Sequence, residues 1–137
     1  MPLPSASLIA WITGLGWDCT QESGAPIFPG PYVPPEPDRL VVITATPGPG
    51  YVLEGDADAG AFQARCRGSQ NDQGDAEGLA YLLDSMILGA SFPALAADGQ
   101  AIVHIHRLGG TPSPLAANPD SGDRYEFVSS YLCIAGT

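Results

Sequence analysis

The chain has 137 residues, is 45% apolar, and carries 15 acids against five bases for a net charge of −10. That length fits one domain with a core able to fold without staples. The charge argues against a protein that grips nucleic-acid phosphate. All five bases are arginine. Cys19, Cys66 and Cys133 are widely spaced and form no C-x-x-C pair, which points to reduced thiols and assembly in a cytosol. Leu8–Trp17 is the longest apolar run; it is too short to cross a bilayer and no basic residue precedes it, so neither a membrane span nor a signal peptide is expected.

In chain order, Ser5 or Ser7 is placed to cap a first helix with Leu8, Trp11, Ile12 and Leu15 on one face. Residues 24–37, GAPIFPGPYVPPEP, hold six prolines. That density prevents helix and interior strand and favours an extended arm. The arm either lies on its own domain or reaches across a neighbouring subunit, with Phe28 and Tyr32 as its anchors. Arg39–Thr46, RLVVITAT, reads as a strand covered on both faces, ended by the prolines and glycines of 46–50. Glu54, Asp56 and Asp58 follow at alternate positions. They lack the glycine and distal glutamate of an EF-hand, so they predict an acidic hairpin loop and no metal site.

Phe62–Ala90 is the organising unit. Phe62, Ala64, Cys66 and Gly68 alternate with Gln63, Arg65, Arg67 and Ser69, the pattern of a strand with one face on a core and one in water. A turn over 70–74 leads to a helix that Asp75 is placed to cap. Leu79, Leu82, Leu83, Met86 and Ile87 form its apolar face and Gly89 its end. Ala101–Leu108 predicts a strand with Val103 and Ile105 on one side and His104 and His106 on the other. Two histidines without a third ligand predict no zinc site. Residues 109–122, including Pro112 and Pro114, read as a long loop. Arg124–Ala135 is the last strand, with Tyr125, Phe127, Tyr131 and Cys133 on one face. The expected fold is an α+β two-layer domain spanning 1–137, in the order α-β-β-α-β-β. Its four-stranded, mainly antiparallel sheet carries helices on one face.

Catalytic signatures are missing from the sequence: there is no G-x-S-x-G, P-loop, dinucleotide fingerprint or H-E-x-x-H. No enzyme activity and no cofactor is expected. Several local patterns do resemble a known group. LVVITATPGPG, FQARCRGSQND, IVHIHRLGGTPSPL and DRYEFVSSYLC fall in the order seen in the minor capsid or tail terminator proteins of long-tailed bacteriophages. The family's arginine-glycine strand end looks like Arg67-Gly68. Its R-x-G-G-x-P turn looks like Arg107 to Pro112, with Leu108 and Thr111 altering the spacing. Its R-x-x-F-x-x-x-Y closing strand looks like Arg124, Phe127 and Tyr131.

The resemblance covers about residues 39–135 and implies a virion protein of the head–tail junction, assembled in the host cytoplasm. Such proteins form a homohexameric ring that caps the tail tube and joins it to the head connector or head-closure protein. DNA passes through the lumen without specific binding. On that reading Arg65, Arg67, Arg107 and Arg124, with Phe28 and Tyr32, are candidates for subunit contacts, because arginine grips carboxylates bidentately. Glu54, Asp56, Asp58, Pro112 and Pro114 are candidates for loops facing the tube or the connector. Rival readings are a tail completion or head-closure protein, a soluble module using the proline arm as a peptide ligand, and a small metal-dependent enzyme.

Overall fold

The computed structural model describes residues 4–53, 57–96, 101–115 and 124–136, with the backbone course alone at 47–53, 57–59, 115 and 136. The elements are α1 (Ser5–Gly14), β1 (Ile27–Pro29), β2 (Leu40–Leu53), β3 (Ala57–Gln70), α2 (Gln73–Leu88), β4 (Ala94–Leu95), β5 (Ala101–Leu115) and β6 (Arg124–Gly136). They build one six-stranded sheet in the order β1-β2-β3-β6-β5-β4, curled into half a barrel. β1 runs parallel to β2; every other neighbour pair is antiparallel.

This overturns the expected four-stranded, mainly antiparallel two-layer sheet. The sheet is six-stranded and mixed. The two extra strands are short and lie at the edges, where periodicity is too brief to read. β1 comes from inside the proline arm: three residues, ending in proline, fit an edge strand because an edge need not donate on both sides. The long strands also overrun their predicted ends. Glycine and proline at 46–50 shift the β2–β3 register without ending the strand, and β5 continues to Leu115 past a break between Leu108 and Ser113. Proline is tolerated there because one side of β5 faces no sheet neighbour beyond Ile102 among the described residues.

The core lies between the helices and one face of the sheet. Leu8, Trp11 and Ile12 of α1 and Leu79, Leu83 and Ile87 of α2 pack with Val41, Ile43, Phe62, Ala64, Cys66, Phe127 and Tyr131. The Phe62 and Tyr131 rings stack at 5.0 Å between centroids on neighbouring strands, as directly opposed residues should. α2 sits close enough that Gly68 is required: a methyl group there would fall 2.5 Å from the backbone nitrogen of Ala76. The caps differ from expectation. Asp72, not Asp75, caps α2, accepting from the Asp75 N–H at 3.0 Å. Ser5 makes no cap; it is the first helical residue, and its hydroxyl accepts from the Ala45 N–H on the edge of β2. On β5 a bulge follows Ile102, so Ile102 and Ile105 are buried while Val103 is exposed.

Candidate assembly surfaces

The sheet face away from the helices is not the wet face that the alternation of β3 predicts. By register Val42, Thr44, Arg65, Arg67 and Glu126 lie on that side. Yet Leu40 and Val42 are buried, and Arg67 and Glu126 are each only 2% exposed. The cover is the proline-rich arm. Gly30 sits so tightly on β2 that an added methyl group would meet the Thr44 hydroxyl and the Val42 side chain. Further on, Arg67 fastens the arm from below. Its Nε donates to the Asp38 carbonyl at 3.0 Å, and its Nη2 donates to the carbonyls of Pro37 at 2.7 Å and Pro35 at 3.2 Å. A polyproline segment has few N–H groups of its own and no internal hydrogen bonds, so its carbonyls are free for such a fork.

The clasp is held in a charge ladder. Arg124 Nη1 donates to the Asp38 carboxylate at 2.8 Å, and Arg65 pairs with buried Glu126. Burial is the largest influence on Arg67 and pulls its pKa down, with Arg124 adding to the pull; Glu126 and Asp38 act in the opposite sense. An open polar pocket of about 200 Å³ lies beside the clasp, lined by Pro35, Glu36, Asp38, Gln70 and Arg124.

A second polar network lies on the helix side. Asp84 of α2 is buried and receives the Tyr131 hydroxyl at 2.7 Å and the Arg107 guanidinium; the Ser129 hydroxyl in turn donates to Tyr131. Burial is the main cause that drives the Tyr131 phenol well above its ordinary range. The network ties α2 to β5 and β6 through a satisfied carboxylate. A third anchor joins the turn at 21–23 and the first turn of α2 to the residue before β2. Arg39 donates to the Gln21 carbonyl at 2.7 Å, Gln21 receives the Arg39 N–H, and Arg39 Nε lies 3.0 Å from the Asp75 carboxylate.

The predicted contact residues therefore fall into distinct places. Arg65, Arg67 and Arg124 come together on the arm side; Arg107 is on the helix side, and all four engage groups of the same chain. Phe28 is half-buried in β1, whereas Tyr32 is 70% exposed on the arm. Glu54 and Asp56 lie outside the described residues, and Asp58 is on β3 opposite Ala135. Pro112 is buried, and Pro114 is exposed opposite Phe127. Phe127 and Ala135 are eight residues apart on β6. At about 3.3 Å per residue the Pro114 and Asp58 ends of the sheet are separated by roughly 26 Å.

Sequence reasoning missed Asp38, Asp84 and Glu126, the carboxylates that receive the arginines. The only available signal was parity: Glu126 stands opposite Arg67 once the β3–β6 register is known. Burial pushes the Cys66 thiol up to about 12 and Cys133 to about 11, so both stay protonated, while Cys19 is exposed. His104 and His106 stand side by side, with ring centroids 5.8 Å apart, and Phe92 meets His104 edge-on. No group of three or more metal-ligating side chains occurs among the described residues. Among the described residues no helix is long and apolar enough to cross a membrane. No protein-family model matches the chain, and no curated protein matches it.

Proposed function

We propose that the protein is a structural component of a bacteriophage neck, a tail terminator. Its copies form a ring that caps the tail tube and joins it to the head connector. The observation that carries the reading is the display of two candidate contact regions at opposite ends of one sheet, roughly 26 Å apart. An adapter between two stacked partners needs that arrangement: a stiff spacer with a different surface at each end. The residues that resemble the family supply the rest. In the single chain Arg67 and Arg124 hold the arm, and Arg107 holds α2, so these motif positions keep the spacer rigid.

A tail completion or head-closure role would use the same spacer with other neighbours. The peptide-ligand reading is less well supported, because the carbonyls of Pro35 and Pro37 are already engaged by Arg67.

The test is genetic. Removing the gene from its phage is expected to leave filled heads and unjoined tails of irregular length; joined particles of normal length would refute the proposal. Substitutions should then separate the two ends. Glu54→Gln with Asp56→Asn, and separately Pro114→Ser, are each expected to weaken one of the two junctions while the isolated chain keeps its melting temperature.

A further inference from the structure

β5 carries two imidazoles that take no part in the clasp or in the Asp84 network. His104 pairs with Ile134 of β6 and His106 with Leu132, so both side chains leave the sheet on the face opposite Ile105, which is buried in the core. The two rings stand side by side with centroids 5.8 Å apart, and both residues are exposed. Neither ring has a hydrogen-bond or ion-pair partner among the described residues, so their nitrogens are open to a ligand from solvent. Their cross-strand neighbours, Leu132 and Ile134, are half-buried aliphatic side chains that offer no competing donor or acceptor.

Two features pin the pair. The strand is held by the β5–β6 ladder, with Ile105 between the histidines anchored in the core. The Phe92 ring meets His104 edge-on at 5.5 Å, and Phe92 itself lies 5.9 Å from the Trp11 ring. Chelating side chains held on a rigid strand lose less freedom on binding than they would on a loop.

We propose that His104 and His106 form an open binding site for a divalent late-transition-metal ion, with Cu²⁺ favoured over Ni²⁺ and Zn²⁺. Neutral imidazole is the ligand these ions share, and affinity for a given nitrogen site peaks at Cu²⁺. Two imidazoles on one ion at about 2.0–2.1 Å stand with centroids roughly 5 Å apart, so a small side-chain rotation closes the gap. Two protein ligands are too few for a closed tetrahedral zinc site, and among the described residues no third joins them. They suffice for a tetragonal ion whose other positions hold water. The net charge of −10 favours the approach of a cation. Arg107, the nearest base in the sequence, is turned to the helix side and paired with Asp84, so it does not oppose one. The site does not depend on the neck reading.

The test uses the full chain with Cys19→Ser, which removes the exposed thiol as a rival ligand. Cu²⁺ is titrated at about pH 7.5, where an ordinary imidazole is neutral, by calorimetry and by NMR. One ion per chain is expected, with the amide signals of His104, His106, Leu132 and Ile134 broadened before any others. His104→Ala and His106→Ala should each weaken binding at least tenfold, because each leaves a single imidazole, with an unchanged circular dichroism spectrum. Ni²⁺ and Zn²⁺ should each bind at least tenfold more weakly than Cu²⁺; equal affinity for the three would overturn the order. Either single variant binding Cu²⁺ as tightly as its parent would overturn the site. So would broadening that begins at the acidic residues 54–58, or one ion shared by two chains.

Discussion

The two faces of the sheet are covered by different physics. The helix face is closed by apolar side chains from α1 and α2, and the buried carboxylate of Asp84 on that face receives Tyr131 and Arg107. The arm face is closed by a chain segment that buries little of its own and is fastened by cation-to-carbonyl bonds from Arg67. Apolar burial is broad and non-directional, so it tolerates small shifts. A guanidinium fork is directional and local, so it fixes where a segment lies. The first face sets whether the domain folds; the second sets where residues 30–38 are held.

That difference predicts unequal responses to substitution. The largest effect is expected for Leu83→Ala at the helix face, about 3 kcal/mol of unfolding free energy by urea titration, in the range for a truncated core leucine. Arg67→Met is expected to cost about 2 kcal/mol, the worth of its charged hydrogen bonds. It should also raise hydrogen exchange and protease cleavage within 30–38 more than anywhere else. Equal protection across the chain in Arg67→Met would break the distinction between the faces. Tyr131→Phe is expected to cost about 1 kcal/mol, since Asp84 keeps Arg107.

The helix face was largely legible beforehand. Leu79, Leu83 and Ile87 at helical spacing, Gly89 at the helix end, and alternating Phe62, Ala64 and Cys66 all fall where the sequence pattern puts them. The face of α2 is nonetheless turned slightly: Leu82 is 47% exposed and Asp84 is buried. An aspartate in a helix reads as solvent-facing until Arg107 and Tyr131, far along the chain, are known to meet it. The arm face was not legible. A polyproline stretch has no apolar period to say what it lies on, and alternation assigns Arg67 to water. Its carbonyl partners lie about thirty residues upstream. The short strands β1 and β4 escaped notice for the same reason, as neither is long enough to show a period. Of the candidate contact residues, sequence grouped the arginines by kind, while the fold separates Arg107 from the other three.

The smallest effect is expected far from both faces. The Asp18 carboxyl is held at about 2, first by the Ser23 hydroxyl, then by the hydroxyl and N–H of Thr20. A carboxyl whose pKa is depressed in the folded chain contributes stability above its ordinary value of 3.8, and the contribution is lost as pH falls towards 2. In Ser23→Ala the Asp18 titration followed by NMR should move up towards 3.8, with a small loss of stability at pH 7 that fades as pH falls towards 2. A titration left in place would remove Ser23 as the leading cause.

The central claim is that this chain acts as a spacer between two partners at a phage neck. Electron cryomicroscopy of the intact particle, focused on the head–tail junction, tests it most directly. The account predicts a closed collar of this six-stranded fold, with the acidic β2–β3 hairpin towards one neighbour and the Pro114 end towards the other. A junction built without this fold, or the chain found elsewhere as a single copy, would contradict it.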